Sequence, residues 1–267
     1  MVSPVQGHGQ PGAHPNIAWI HDFWLGGTHH DKADIDYAGK IELCAPHIPY
    51  LVRASRALCG RMVRYLLDQG VRQFVDLGSG IPTMGHVHEV AGAVDPDSRV
   101  VYVDVDPAVA AVGRALVSER ESVAYVEADI RDPQRILSAP EFRDTIDLAE
   151  PVGLFVIETL TYLPDSDDPA DLVRLFTEAT VSGSYLGLTH YGESAELRAG
   201  LALFDRMFGA PPVVTLRDRE QLGGFFADLL LVDPGVVPVP LWRPTTESET
   251  GRNPELAPMY TGLARKR

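Results

Sequence analysis

The chain has 267 residues, 45% of them hydrophobic, and a formal charge of −14. This is enough to bury a full core, at the upper end for one domain. An acidic surface repels phosphate backbones and anionic headgroups across a Debye length of roughly 8–10 Å, so no nucleic-acid or membrane partner is expected. No run of about 18 apolar residues could span a bilayer. Residues 1–14 lack the basic-then-apolar pattern of a secretion signal, which predicts a cytoplasmic protein. Cys44 and Cys59 have no CxxC partner and no His-rich surroundings, and read as reduced, buried thiols.

Residues 1–14, rich in Gly, Pro, His and Gln, carry too little apolar content to fold and are expected to form a disordered N-terminus. After Pro15, the residues Ile17, Ile20, Phe23 and Trp24 recur at helical spacing until Gly26-Gly27. A second helix covers Lys32 to Leu43. A third follows Pro49, with Leu51, Leu58, Met62, Val63, Leu66 and Leu67 on one side and Gly70 as its stop. Residues 15–70 thus read as a helical cap and 71–267 as the main domain, the two forming one unit.

From Gln73 the period changes. Gln73 to Leu77 is a short run of β-formers ending at Gly78-Ser79-Gly80. A helix is predicted from Thr83 to Ala93, a strand from Arg99 to Val103, a helix from Pro107 to Ser118 and a strand from Ser122 to Glu127. A short helix at Pro133 to Leu137, a strand at Val152 to Ile157, a helix at Asp168 to Ala179 and a strand at Ser184 to Thr189 follow. Helices at Ala195 to Phe208 and Arg219 to Phe226 lead to two closing strands, Leu229 to Val239 and Met259 to Ala264, placed to pair at one edge. Alternating strands and helices predict an α/β fold, Rossmann-like, with a mostly parallel sheet covered by helices on both faces.

The glycine loop stands where the first strand meets a helix, the place where open α/β sheets bind ligands, and glycine lets the backbone turn sharply beside a ligand. A dinucleotide fingerprint needs a third small residue three places after the second glycine, but Gly80 is followed by Ile81, Pro82 and Thr83. Asp76, inside the first strand, would repel a pyrophosphate and suits a sulfonium cofactor bearing an ammonium. Asp104, ending the second strand, is placed to accept hydrogen bonds from both ribose hydroxyls of an adenosine, whereas Asp106, before Pro107, reads as a helix cap. Asp129, after the third strand, is placed for an adenine amino group, with Ile130 packing on the ring.

This arrangement resembles the class I S-adenosylmethionine-dependent methyltransferases. Within them it is similar to the actinobacterial S-adenosyl methyltransferase family, formerly a domain of unknown function. The likeness runs through Pro15-Asn16-Ile17-Ala18, Leu25-Gly26-Gly27, Arg53 with Arg56, Gln73 to Thr83, Val87-His88-Glu89-Val90, Tyr102-Val103-Asp104, Ala128 to Pro133 and Val236 to Trp242. It implies a seven-stranded sheet whose last strand inserts antiparallel, and S-adenosyl-L-methionine as cofactor. The expected cofactor contacts are Arg56, Asp76, Gly78, Ser79, Gly80, Thr83, Asp104, Val105, Asp129 and Ile130, with Arg56 clamping a carboxylate. The chain departs from the family pattern at His21-Asp22-Phe23, Ser55-Arg56 and Thr28-His29-His30, all within the helical preface.

Methyl transfer from a sulfonium is an in-line displacement that gains much of its rate from positioning, and it needs a base only when the acceptor must lose a proton. Glu158, Thr159, Tyr162, His190 and Tyr191, past the fourth and fifth strands, are expected to face the crevice. Glu158 and His190 are the candidate catalytic groups. No metal site is expected, because the pairs His29-His30 and His86 with His88 lack the i, i+4 spacing of a zinc helix. The expected activity is methyl transfer to a small-molecule acceptor. The alternative is a cofactor-binding module without catalysis, and a nicotinamide-dependent oxidoreductase fits the loop poorly.

Overall fold

Three helices precede the first strand in the computed structural model, which describes residues 15–83, 85–246 and 250–267. The expected disorder of residues 1–14 lies outside these. Helix α1 (Ile17–Trp24) starts where the Asn16 side chain accepts from the Ala18 N–H at 2.8 Å. Helix α2 (Lys32–Cys44) starts on a reciprocal capping box between Asp31 and Asp34. Helix α3 (Ile48–Asp68) carries Pro49 in its first turn and buries Leu51, Leu58, Met62 and Leu66 along one side.

The alternating section follows as β1 (Gln73–Leu77), α4 (Val87–Val94), β2 (Arg99–Asp104), α5 (Pro107–Val117) and β3 (Val123–Glu127). It continues through α6 (Pro133–Ser138), α7 (Pro140–Thr145), β4 (Val152–Ile157), α8 (Pro169–Glu178), β5 (Tyr185–Tyr191), α9 (Ala195–Phe208) and α10 (Arg219–Gly224). The chain closes with β6 (Leu230–Leu231), β7 (Val237–Pro238) and β8 (Met259–Arg265).

The sheet runs β3-β2-β1-β4-β5-β8-β6, with β7 also on β8. Strands β1 to β5 are parallel, and β8 inserts antiparallel beside β5. The expected strand Leu229 to Val239 is two short segments, because the turn in which Gly235 N donates to Val232 O interrupts it. Both pair with β8, so eight segments fill seven positions. Strand alternation divides the core in two. Phe74, Tyr102 and Phe155 meet α3, α4 and α5 on one face. Val75, Val101 and Leu154 meet α6, α7, α8 and α10 on the other. Helix α3 lies directly on β4 and β5, and so forms part of the first layer.

Two boundaries shift in ways that matter for the site. Helix α4 begins at Val87, four residues later than expected, because Ile81 and Thr83 belong to the loop around Pro82. Strand β5 continues to Tyr191, because His190 and Tyr191 pair with Tyr260 and Met259.

Candidate active site

The loop after β1 is clamped to the end of β2. Gly78 N and Ser79 N both donate to Val103 O, at 2.8 and 2.9 Å. Gly80 N donates to Asp104 Oδ2 at 2.9 Å, while Asp104 Oδ1 accepts from Asp106 N at 3.0 Å. Burial pushes the Asp104 carboxyl above its ordinary range against these N–H donors, which favour its charge. Gly78 and Gly80 have φ of +75° and +64°, the left-handed region that favours glycine. Asp106 caps α5, accepting from Ala108 N and Val109 N, and its other oxygen accepts from Asn16 Nδ2 at 2.8 Å. The helical preface is thereby tied to the loop, and Ala18 covers Gly80.

Beneath this loop Asp76 is 4% exposed, and its Oδ1 has no hydrogen-bond partner. Burial raises its carboxyl to about 7, opposed by the nearby Arg56 charge and reinforced by Asp104. Arg56, half-buried on α3, packs beside Gly85, and its guanidinium makes no hydrogen bond to another described residue. At the rim, Val105 is 59% exposed beside Asp104, and Ile130 is buried. Ser79 Oγ donates to the Tyr125 hydroxyl, and Thr83 Oγ1 to Asp22 Oδ1. Asp129 is committed locally: Arg131 donates to both of its oxygens, at distances from 2.6 to 3.0 Å. Burial raises the Asp129 carboxyl, but the Arg131 bonds outweigh it and the net shift is downward.

Glu158 follows β4 in the left-handed region, at φ +64°. Such a conformation in a non-glycine residue stores strain and commonly marks a functional position. Its N–H donates to Thr189 Oγ1 at 2.9 Å, its side chain is buried, and its Oε2 has no hydrogen-bond partner. The next residue, Thr159, donates to Leu77 O at 2.8 Å, which fixes Glu158 beside the glycine loop. His21 from α1 brings Nε2 to 3.9 Å from Glu158 Oε2. Burial lowers the His21 pKa, so its ring is neutral. His21, Tyr162 and Tyr191 form the inner wall of an apolar cavity of about 630 Å³, open mouth included, between α1, α2 and α9.

His190 does not face the crevice. In the extended β5 it points to the opposite face from Tyr191, where it is 1% exposed. Its Nδ1 meets Tyr191 O at 2.8 Å, and its Nε2 accepts from Arg217 Nη1 at 2.7 Å. Burial, with Arg217, pushes it down to about 4 against the hydrogen bond to Tyr191 O, so it is a neutral structural histidine with no free nitrogen. Arg217, which sequence reasoning passed over, also donates to Leu160 O and Leu163 O, each at 2.9 Å, and so shapes the turn that carries Glu158 and Tyr162. His21 was equally hidden, since its neighbour Glu158 is supplied from 137 positions away by the fold. The paired histidines have other work: His30 Nδ1 meets Asp22, and His88 Nδ1 meets the Tyr102 hydroxyl.

Residues 11–267 match a family model described as S-adenosyl methyltransferase. The chain belongs to this family. It is similar to a DUF574 family protein of known structure from Streptomyces avermitilis, with 38% identity, a TM-score of 0.87, and coverage of 95% of this chain and 98% of that one. A proposed methyltransferase from Thermobifida fusca is 34% identical, with a TM-score of 0.85 and coverage of 95% and 96%. A stretch of 93 residues, 35% of this chain, is 33% identical to an ornithine lipid N-methyltransferase from Singulisphaera acidiphila and spans only 44% of that enzyme. The family member is an S-adenosylmethionine-dependent methyltransferase. The crevice suits that cofactor on two counts: an orphaned buried carboxylate oxygen on Asp76 and the Arg56 guanidinium, whose charge reaches it.

Proposed function

We propose that this methyltransferase acts on a small molecule seated in the cavity beneath α1, α2 and α9. The observation that carries this reading is the turn after β4, where Thr159 bonds to the end of β1 before the glycine loop and its neighbour Glu158 stands 3.9 Å from His21, a residue of the cavity wall. Asp104 holds the ribose hydroxyls, Asp76 the ammonium and Arg56 the carboxylate of the cofactor. Gly78, Ser79, Gly80 and Thr83 line its amino-acid portion, while Val105 and Ile130 pack on the adenine. Asp129, held in place by Arg131, would accept the adenine amino group on a remaining lone pair. Bound there, S-adenosylmethionine supplies an electrophilic methyl group. The preface helices exclude water and bring the acceptor alongside it, which is where most of the acceleration of such a displacement arises. The acidic surface disfavours a nucleic-acid acceptor, and among the described residues no helix is long and apolar enough to cross a membrane.

Calorimetric titration with S-adenosylmethionine tests the site, with NAD as control and Asp104→Asn as the variant. The amide can accept from only one of the Gly80 and Asp106 N–H groups and loses the charge that strengthens hydrogen bonds from ribose, so binding is expected to weaken about 10- to 100-fold. Absence of S-adenosylmethionine binding, or equal affinity in the variant, would overturn the assignment.

A further inference from the structure

The cavity and its polar end differ sharply in character. Ile41, Ile48, Leu197, Leu201 and Phe204 make its body apolar. The inner wall has a polar cluster in which His21, Tyr162 and Tyr191 all feel the Glu158 charge. Directly behind that wall Glu158 Oε2, on a carboxylate that the Tyr191 side chain also meets, stands 3.9 Å from His21 Nε2, and these two buried atoms have no hydrogen-bond partner. Among the described residues no Lys or Arg pairs with Glu158, whose one ion-pair neighbour is the neutral His21.

Resting on the methyltransferase reading, we infer that the acceptor is a primary amine on an apolar body, with its nitrogen held between Glu158 Oε2 and His21 Nε2. The amine arrives as an ammonium ion and loses one proton to solvent on entering the apolar cavity, which leaves two N–H donors and a lone pair. With the His21 proton on Nδ1, both orphaned atoms are acceptors, and the amine satisfies both while its lone pair remains for the methyl group. A hydroxyl has one donor and leaves one acceptor buried and unpaired. The developing charge points the same way. As the new C–N bond forms, the C–S bond breaks with its electron pair going to sulfur, and the nitrogen becomes a methylammonium that the Glu158 carboxylate stabilises.

The test uses the full chain with S-adenosylmethionine and two matched pairs, n-octylamine with 1-octanol and 2-phenylethylamine with 2-phenylethanol, plus ethanolamine as a polar amine. Cys44 lines the cavity, so its alkylation by a thiol reagent reports occupancy independently of turnover. At least one apolar amine is expected to give an N-methyl product by mass spectrometry. At ten times its dissociation constant it should slow Cys44 alkylation about tenfold. The alcohols and ethanolamine are expected to do neither. Glu158→Gln is expected to lower kcat/KM for the amine about 100-fold and leave S-adenosylmethionine affinity unchanged. Cofactor binding without protection by either apolar amine, alcohol methylation in preference to amine, or full activity in a folded Glu158→Gln variant would each overturn this inference alone. Failure to bind the cofactor would overturn the methyltransferase site itself.

Discussion

Gly78 and Thr159 occupy neighbouring space that only one side chain can fill: a Cβ on Gly78 would stand 2.3 Å from Thr159 Cγ2. The loop after β1 and the turn after β4 close on each other for that reason. Gly78→Ala combines this overlap with a φ of +75°, and is expected to cost about 3 kcal/mol or more in urea denaturation and to abolish cofactor binding. Pairing it with Thr159→Ala should recover the part due to overlap and leave the backbone cost.

Asp76 makes stability depend on pH in an unusual direction. Its folded pKa, about 7, lies above the ordinary carboxyl value of 3.8, so between these limits the folded state holds a proton that the unfolded state has lost. Stability of the cofactor-free protein is therefore expected to fall as pH rises from about 4 to 7, by on the order of 4 kcal/mol at most. Asp76→Asn should flatten that slope in denaturation curves taken across the range. It should also remove the gain in S-adenosylmethionine affinity expected when Asp76 ionises above pH 7.

Asp22 anchors the preface. It is 2% exposed, and its Oδ2 accepts from His29 N at 2.7 Å and His30 N at 3.2 Å, while Oδ1 accepts from Thr83 across the glycine loop at 3.3 Å. Asp22→Asn is expected to keep the fold, speed protease cleavage between residues 25 and 31, and weaken cofactor binding about tenfold, consistent with loss of charge-assisted bonds. Limited proteolysis beside calorimetry reads both.

Arg217 and Asp165 form an ion pair whose two ends differ in importance. The arginine side chain is 3% exposed and the aspartate 76%. Asp165→Asn should change stability by less than about 1 kcal/mol, since one end of the pair is in water. Arg217→Met removes the donors to two loop carbonyls and His190, and is expected to cost about 3 kcal/mol and to reduce turnover more than cofactor affinity. Denaturation and steady-state kinetics on both variants separate these expectations.

The elements legible in the sequence are those whose pattern is local. Strands β1 and β4 and helix α9 stand at the expected residues, because apolar runs and helical periodicity suffice to place them. Helix α7, separated from α6 by Ala139 alone, is not among the predicted elements. Asp104 and the glycines were readable, since strand-end position dictates their surroundings. His190 was misplaced because two further residues of strand pairing, decided by β8, turned it to the other face. His21 and Arg217 acquire their neighbours across the fold, and nothing in their flanking residues announces them.

Arg61 on α3 donates from Nε to Trp242 O at 2.9 Å and from Nη2 to Val239 O at 3.2 Å, spanning some 180 positions. During synthesis, α3 leaves the ribosome before any strand of the sheet it packs on, and before the segment that closes over Arg61. Its apolar side must wait for β4 and β5, so native structure cannot accumulate residue by residue as the chain emerges. Folding is expected to be a late, concerted event dominated by distant contacts, slow for the chain's size. During that interval the exposed Leu58, Met62 and Leu66 are natural targets for chaperones.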